Sequence, residues 1–380
     1  MGRKLFLLLA SLCLLVAGSI SACASRGSLP AKSAALPKEL TKEEKAREFV
    51  AHMSDAQKIG QFMMIGIGGT SLDQDARNMI TTFPVGNVIY FDRNLTNPEQ
   101  VKALSQSLSK TIKDETGLTP FIAIDQEGGM VMRMTDYLPP MPSAEALGQG
   151  TPETARDWAG KTAKELKNLG INTNFAPVVD LNGAYHRSYG KTPNQVIPFA
   201  KAVIQGYEMQ GIKTSLKHFP GIGKVKTDPH VDGDVVSISR EQLDKEDGRP
   251  FLELIRQTNP ENTFVMVSNV TFPLLDANEP ACLTKVIITD ILRKEYGFKG
   301  LILTDDMEMG AMAKHYAFNE MGVRAIKAGA DIILVCHDYG HEQEVFNGLL
   351  NAYRDGRLDK KLIDEKVKRI ALIKMGMMEK

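Results

Sequence analysis

From residue 61 onward the chain alternates between two kinds of segment. Short apolar or β-branched runs recur at Gln61–Gly68, Gly86–Phe91, Pro120–Asp125, Ile171–Asp180, Ile212–Pro220, Thr263–Asn269, Gly300–Asp305 and Ala330–Cys336, with the length and content of buried strands. Between most of them the apolar residues fall at helical spacing, over Pro98–Lys113, Thr151–Leu169, Val196–Met209, Arg240–Gln257, Lys285–Glu295 and Asn319–Ala328. Such alternation predicts a parallel sheet, because parallel neighbours need a crossover and a helix supplies one. Eight strands in one series, without a break in composition or an internal repeat, predict an α/β fold consisting of a single (β/α)8 TIM barrel.

The N-terminus does not follow this pattern. Arg3 and Lys4 precede an apolar stretch, Leu5 to Gly18, that is too short to cross a hydrocarbon layer of about 30 Å comfortably but suits the core of a signal peptide. It ends in Ile20-Ser21-Ala22-Cys23, which resembles the bacterial lipoprotein box, in which the Cys is lipidated and becomes N-terminal. Residues 1–22 are therefore expected to be a lipoprotein signal peptide and Cys23 the lipidation site, with ordinary cleavage after Ala24 as the alternative. Residues 23–40 are Ser-, Ala- and Pro-rich without periodicity and read as a flexible tether. The expected location is outside the cytoplasm, lipid-anchored to a bacterial membrane and facing the periplasm or the exterior. Residues 41–380 are expected to form the catalytic domain.

Charge and cysteine content narrow the classes. Lys and Arg total 46 against 46 Asp and Glu, and this zero balance argues against a nucleic-acid partner bound through counterion release. With 43% hydrophobic and 24% charged residues, disorder, collagen and coiled coil are excluded. Two of the four cysteines, Cys13 and Cys23, lie in the leader and tether outside the fold, so Cys282 and Cys336 are expected to be free core thiols.

In such a barrel, chemistry belongs where strands end at the C-terminal face. Strand three runs into Asp125-Gln126-Glu127-Gly128-Gly129, strand four into Asp180, and strand five into Lys217-His218-Phe219-Pro220-Gly221. Strand six runs into Asn269 and strand seven into Thr304-Asp305-Asp306. A carboxylate at the tip of a buried strand is costly unless partnered, and nucleophilic catalysis is one reason to keep Asp305 there. In retaining glycoside hydrolysis a carboxylate attacks the anomeric carbon while a second group protonates the leaving oxygen. Asp228-Pro229-His230 supplies a candidate for that second group, since a carboxylate beside an imidazole raises its pKa and fixes its tautomer. The plainer readings are a surface Asp with a solvated His, and an Asp305-Asp306 cap on a helix over Met307–Ala313.

Five motifs occur in one order: Ile124-Asp125-Gln126-Glu127-Gly128-Gly129 followed by Arg133, Asn174-Phe175-Ala176-Pro177-Val178-Val179-Asp180, Lys217-His218-Phe219-Pro220-Gly221-x-Gly223, Asp228-x-His230, and Gly300-x-x-x-Thr304-Asp305-Asp306-x-x-Met309. Together they resemble the β-N-acetylglucosaminidase branch of the family 3 glycoside hydrolases, over about Gln61 to Ile373. The resemblance implies a retaining exo-glycosidase acting on terminal β-linked N-acetylhexosamine, with Asp305 as nucleophile, His230 as acid/base and Asp228 as its dyad partner. It implies that Asp125, Arg133, Arg187, Lys217 and His218 bind the sugar. No cofactor or metal is expected, and the expected partners are an amino-sugar oligosaccharide and the anchoring membrane, with the chain monomeric. Two departures stand out, because Ile222 occupies a position usually held by a second His and Pro229 replaces the usual Ser or Thr.

Other readings remain. A β-glucosidase or a phosphorylase of the same family is one, and a non-catalytic sugar-binding lipoprotein is another. Gly66-Ile67-Gly68-Gly69-Thr70-Ser71, with Asp92 about 20 residues on, mimics a dinucleotide fingerprint but lacks the third glycine. His337 and His341 could share a helix face and hold a metal, although a solvated helix start is the plainer account. Asp228, Asp232 and Asp234 resemble a calcium loop only loosely.

Overall fold

Eight parallel strands close on themselves in the computed structural model, which describes residues 40–183, 185–226, 231 and 233–378. They are β1 (Met63–Ile65), β2 (Asn87–Tyr90), β3 (Phe121–Ile124), β4 (Thr173–Asn174), β5 (Lys213–Phe219), β6 (Thr263–Val267), β7 (Ile302–Asp306) and β8 (Ile332–Val335). Each lies at one of the eight predicted runs. Closure is made by β1 against β8, with Met63, Met64 and Ile65 opposite Ile333, Leu334 and Val335. The strands are buried along almost their whole length, which is why they read as apolar runs rather than alternating ones. Strand β4 is short because the chain soon meets Pro177, which has no N–H for the ladder, although Val178 bridges back to Lys217.

The crossover helices are encoded locally. Pro98–Thr116 opens with Asn97, whose side chain accepts the Gln100 N–H, has Pro98 in its first turn, and ends at Gly117 with φ of 78°. Its Val101, Leu104, Leu108 and Ile112 recur at helical spacing and face the barrel. Among the described residues several elements lie outside the predicted pattern, and two of them extend the barrel. Thr41 and Glu44 form a reciprocal cap that starts a helix over Lys42–His52, and this packs on the C-terminal helix Lys360–Met378. After β6 a small antiparallel hairpin pairs Thr271–Phe272 with Asp276–Pro280.

The closed end of the barrel carries a buried ionic knot. Asp331, fully buried just before β8, meets Arg369 at 2.6 Å, Arg293 at 2.7 Å and Lys366 at 3.6 Å. Burial pushes its pKa up, but Lys366 and the two guanidiniums bring it down to about 2. Such an array fixes the base of the fold and leaves the opposite rim for chemistry.

Candidate active site

The C-terminal mouth of the barrel encloses a cavity of about 470 Å³. Asp125, Arg133, Arg187, Lys217, His218 and Asp305 all line it, so six of the residues read from sequence meet in one place. Asp228 and His230 lie outside the described residues, as do Cys23 and the leader. Val231, just after that segment, accepts a hydrogen bond from Lys314 at 2.7 Å, so this end of the loop meets the segment that follows β7.

Asp305 does not cap a helix. It lies within β7, and the next short helix, Gly310–Ala313, starts after Met309. One oxygen of its carboxylate, Oδ1, accepts the Asp306 N–H at 2.9 Å. Nearby, burial pushes the Cys282 thiol up and the Asp305 charge adds to that, so Cys282 is an inert neutral neighbour. Both Cys282 and Cys336 are free and buried, as expected.

Across the cavity, cations and carboxylates form a clamp around Glu127. Lys217 Nζ lies 2.6 Å from Asp125 Oδ1 and 2.6 Å from Glu127 Oε1. Arg187 grips Glu127 with both arms of its fork, Nε to Oε2 and Nη2 to Oε1, each at 2.8 Å. Burial alone would raise the Glu127 pKa, but Lys217 first and then Arg187 bring it down to about 2. The same carboxylates hold Lys217 above its ordinary value despite burial, so it is a fixed cation. His218 is oriented from behind, with Nδ1 at 2.7 Å from Asp180 Oδ2. Asp180 also accepts the backbone N–H groups of His218 and Ile222.

The supporting loops take backbone forms that suit close approach. Gly128 and Gly129 have φ of 104° and 61°, and a Cβ on Gly128 would come within 2.4 Å of the Pro142 carbonyl oxygen. This bend lets the segment after β3 double back, so that Gln126 Oε1 accepts the Arg133 N–H at 2.7 Å. Arg133 Nη1 pairs with Asp92 at 2.6 Å, while its buried Nε has no hydrogen-bond partner among the described residues. Arg187 follows Tyr185 and His186, both at φ of 60°, an uncommon left-handed pair that costs about 1–3 kcal/mol per residue. The contact of His186 with Glu145, and the Glu145 N–H donated to the His186 carbonyl at 3.1 Å, hold that turn.

The two histidines after β8 stand at the exposed start of the helix over Tyr339–Arg354, which Asp338 caps, as the plainer reading expects. His337 Nε2 meets Asp306 Oδ2 at 2.8 Å, and His341 Nδ1 meets Glu308 Oε1 at 2.7 Å. Each imidazole is thus tied to a different carboxylate of the segment running out of β7. The described residues contain no cluster of three His, Cys, Asp or Glu suited to a metal ion. Gly66 and Gly68, read as a mimic of a dinucleotide fingerprint, instead border a second cavity of about 260 Å³ with Arg93, Tyr339 and Glu342.

Reading by strand ends found Asp125, Lys217, His218 and Asp305 on this rim, and the family resemblance added Arg133 and Arg187, but neither found their supports. Glu127 and Asp180 stand inside quoted motifs without a role, Asp306 and His337 carry other readings, and Arg93 and Glu308 have none. The available signal was position, since Asp306 ends β7 and His337 lies two residues past β8.

Comparison with known proteins agrees with this geometry. The glycosyl hydrolase family 3 N-terminal domain matches residues 55–373. A β-hexosaminidase of Tolumonas auensis is 33% identical over 296 residues, covering 76% of this chain and 86% of that protein. A family 3 β-N-acetylglucosaminidase from Paenibacillus sp. superimposes with a TM-score of 0.82 at 37% identity, covering 85% of this chain and 62% of that one. A β-N-acetylhexosaminidase from Beutenbergia cavernae gives 0.78 at 28% identity, covering 86% of this chain and 99% of the other. The chain belongs to glycosyl hydrolase family 3.

Proposed function

We propose that this chain is a retaining exo-glycosidase that removes terminal β-linked N-acetyl-D-glucosamine from cell-wall muropeptides or chitooligosaccharides. The observation that carries the reading is Asp305, at the end of a barrel strand, sharing one cavity with the Asp125–Lys217–Glu127–Arg187 clamp. Relatives named for β-hexosaminidase activity supply the choice of amino sugar.

In the proposed reaction Asp305 attacks C1 of the bound sugar and forms a covalent glycosyl ester. His230, paired with Asp228, donates a proton to the departing oxygen. Water then attacks C1, giving one of its own protons to His230 and freeing Asp305 with net retention. The geometry of Asp305 suits this role, because Oδ1 is held by the Asp306 N–H and the second oxygen is left for bonding. Asp125, Arg133, Arg187, Lys217 and His218 hold the sugar hydroxyls. Carboxylate acceptors and fixed cations alternate here, so one sugar orientation satisfies the most hydrogen bonds.

The same proposal places the enzyme outside the cytoplasm, tethered through lipidated Cys23. Among the described residues no helix is long and apolar enough to cross a membrane, so an anchor would have to come from that lipid or from the leader. Cys23→Ala should move the protein from the membrane to the soluble fraction, and unchanged membrane fractionation would remove the anchor.

Purified residues 24–380, assayed on aryl β-N-acetylglucosaminide and aryl β-glucoside with and without phosphate, test the activity. Turnover of the first substrate independent of phosphate, abolished in a folded Asp305→Ala variant, is the expected result. Faster cleavage of the glucoside, or rates that require phosphate, would move the assignment to a glucosidase or a phosphorylase. Unchanged turnover in Asp305→Ala would remove the nucleophile.

A further inference from the structure

The ring of His337 has both nitrogens engaged. Arg93 Nη1 lies 3.1 Å from Nδ1, and Asp306 Oδ2 lies 2.8 Å from Nε2. A guanidinium can only donate, so Nδ1 accepts and Nε2 carries the proton that goes to Asp306. Arg93 is itself fixed, donating through Nε to the Ile67 carbonyl at 2.9 Å and through Nη2 to the Cys336 carbonyl. The ring of Phe91 lies 4.7 Å from that of His337 and limits its rotation. Asp306 receives two further supports, the Glu308 N–H on Oδ1 at 3.0 Å and the Asn269 side-chain amide on its carbonyl at 2.7 Å. The Asp306 N–H in turn is the one that occupies Asp305 Oδ1. Four residues from three strand ends thus form one chain, Arg93 to His337 to Asp306 to Asp305.

We propose that His337 is a positioning residue for the reaction, holding Asp306 so that the Asp306 N–H locks one oxygen of Asp305 and leaves the other aimed at the sugar. This rests on Asp305 being the nucleophile. His337 lines the same cavity, yet its two polar atoms are committed to protein groups, so its influence reaches the sugar through Asp305. The chain needs a group that accepts from Arg93 and donates to Asp306 simultaneously. A neutral imidazole does both, and so does the amide of glutamine, whereas alanine does neither.

The test compares wild type, His337→Ala and His337→Gln on aryl β-N-acetylglucosaminide, with product inhibition by N-acetylglucosamine as a separate binding readout. His337→Ala should lower kcat at least tenfold, because a misplaced nucleophile misses its near-attack geometry, while KM and the inhibition constant stay within about twofold. His337→Gln should recover most of that loss. A His337→Ala variant with kcat within twofold of wild type, or a His337→Gln variant as slow as His337→Ala, would overturn the proposal. Should wild type itself fail to turn over the substrate, the functional reading falls instead. Unfolding midpoints measured on all three proteins detect a variant that has lost its fold, and rescue by His337→Gln then decides the question.

Discussion

Glu127→Gln removes one negative charge from the centre of the clamp and leaves shape nearly unchanged. Lys217 keeps its contact with Asp125 at 2.6 Å, but Arg187 loses the carboxylate that grips both arms of its fork. The Glu127 pKa lies at about 2 against an ordinary 4.5, burial opposing and Lys217 and Arg187 prevailing. At about 1.4 kcal/mol per tenfold in proton affinity, that gap corresponds to roughly 3 kcal/mol of folding stability at neutral pH. A depressed carboxylate contributes above its unfolded pKa, and the contribution disappears as pH falls through the folded one. Urea unfolding should therefore show Glu127→Gln less stable than wild type by roughly 3 kcal/mol at pH 7, and by only about 1 kcal/mol at pH 3. Because Arg187 loses its aim, kcat/KM should fall about a hundredfold, with at least half of the effect, on a logarithmic scale, in KM. A loss below 1 kcal/mol at pH 7, or a difference that does not change with pH, would refute the reasoning that the clamp is a charged, mutually held unit.

Two further outcomes follow from buried carboxylates away from the sugar. Asp331→Ala leaves Arg293, Arg369 and Lys366 without their shared anion and should cost about 3–5 kcal/mol in urea unfolding, with kcat unchanged in the folded fraction. The wild-type share of that stability should fade as pH drops from the ordinary Asp value toward about 2. Glu342 shows the opposite sign, since burial first and Glu308 second push its pKa up to about 10, and its Oε2 has no hydrogen-bond partner among the described residues. A raised carboxylate is most favourable below its unfolded pKa, so Glu342→Gln should gain on wild type by up to about 1.4 kcal/mol per pH unit between 4.5 and about 10. Equal stability curves at pH 5 and pH 8 would show that Glu342 stays solvated.

All eight strands and most crossover helices were legible because their determinants are local. A buried parallel strand must be apolar on both faces, and a helix must carry a cap and an apolar stripe, so both announce themselves in windows of a few residues. Arg240–Gln257 shows the limit of such windows. It was read as one helix, yet it comprises Arg240–Gln242, a wider π turn over Leu243–Asp247, and Arg249–Gln257, a change the apolar spacing alone does not register.

Local apolar runs set the order of the strands and, through it, the rim on which Asp125, Arg187, Lys217, His218 and Asp305 assemble, because a closed parallel barrel sends every strand end to one face. What each of those groups does to the others depends on the folded molecule. Lys217 and Asp125 are 92 residues apart, Arg187 and Glu127 are 60 apart, and Arg93 and His337 are 244 apart. No local pattern encodes such pairs, since each depends on which strands become neighbours when β1 meets β8 and on which way a side chain turns in a dry cavity. Burial disfavours both charges, and the mutual contacts overcome it, with Lys217 and Arg187 holding the Glu127 pKa down and Asp125 and Glu127 holding that of Lys217 up. Solvent exclusion, which exists only once the cylinder is closed, gives these charges their strength.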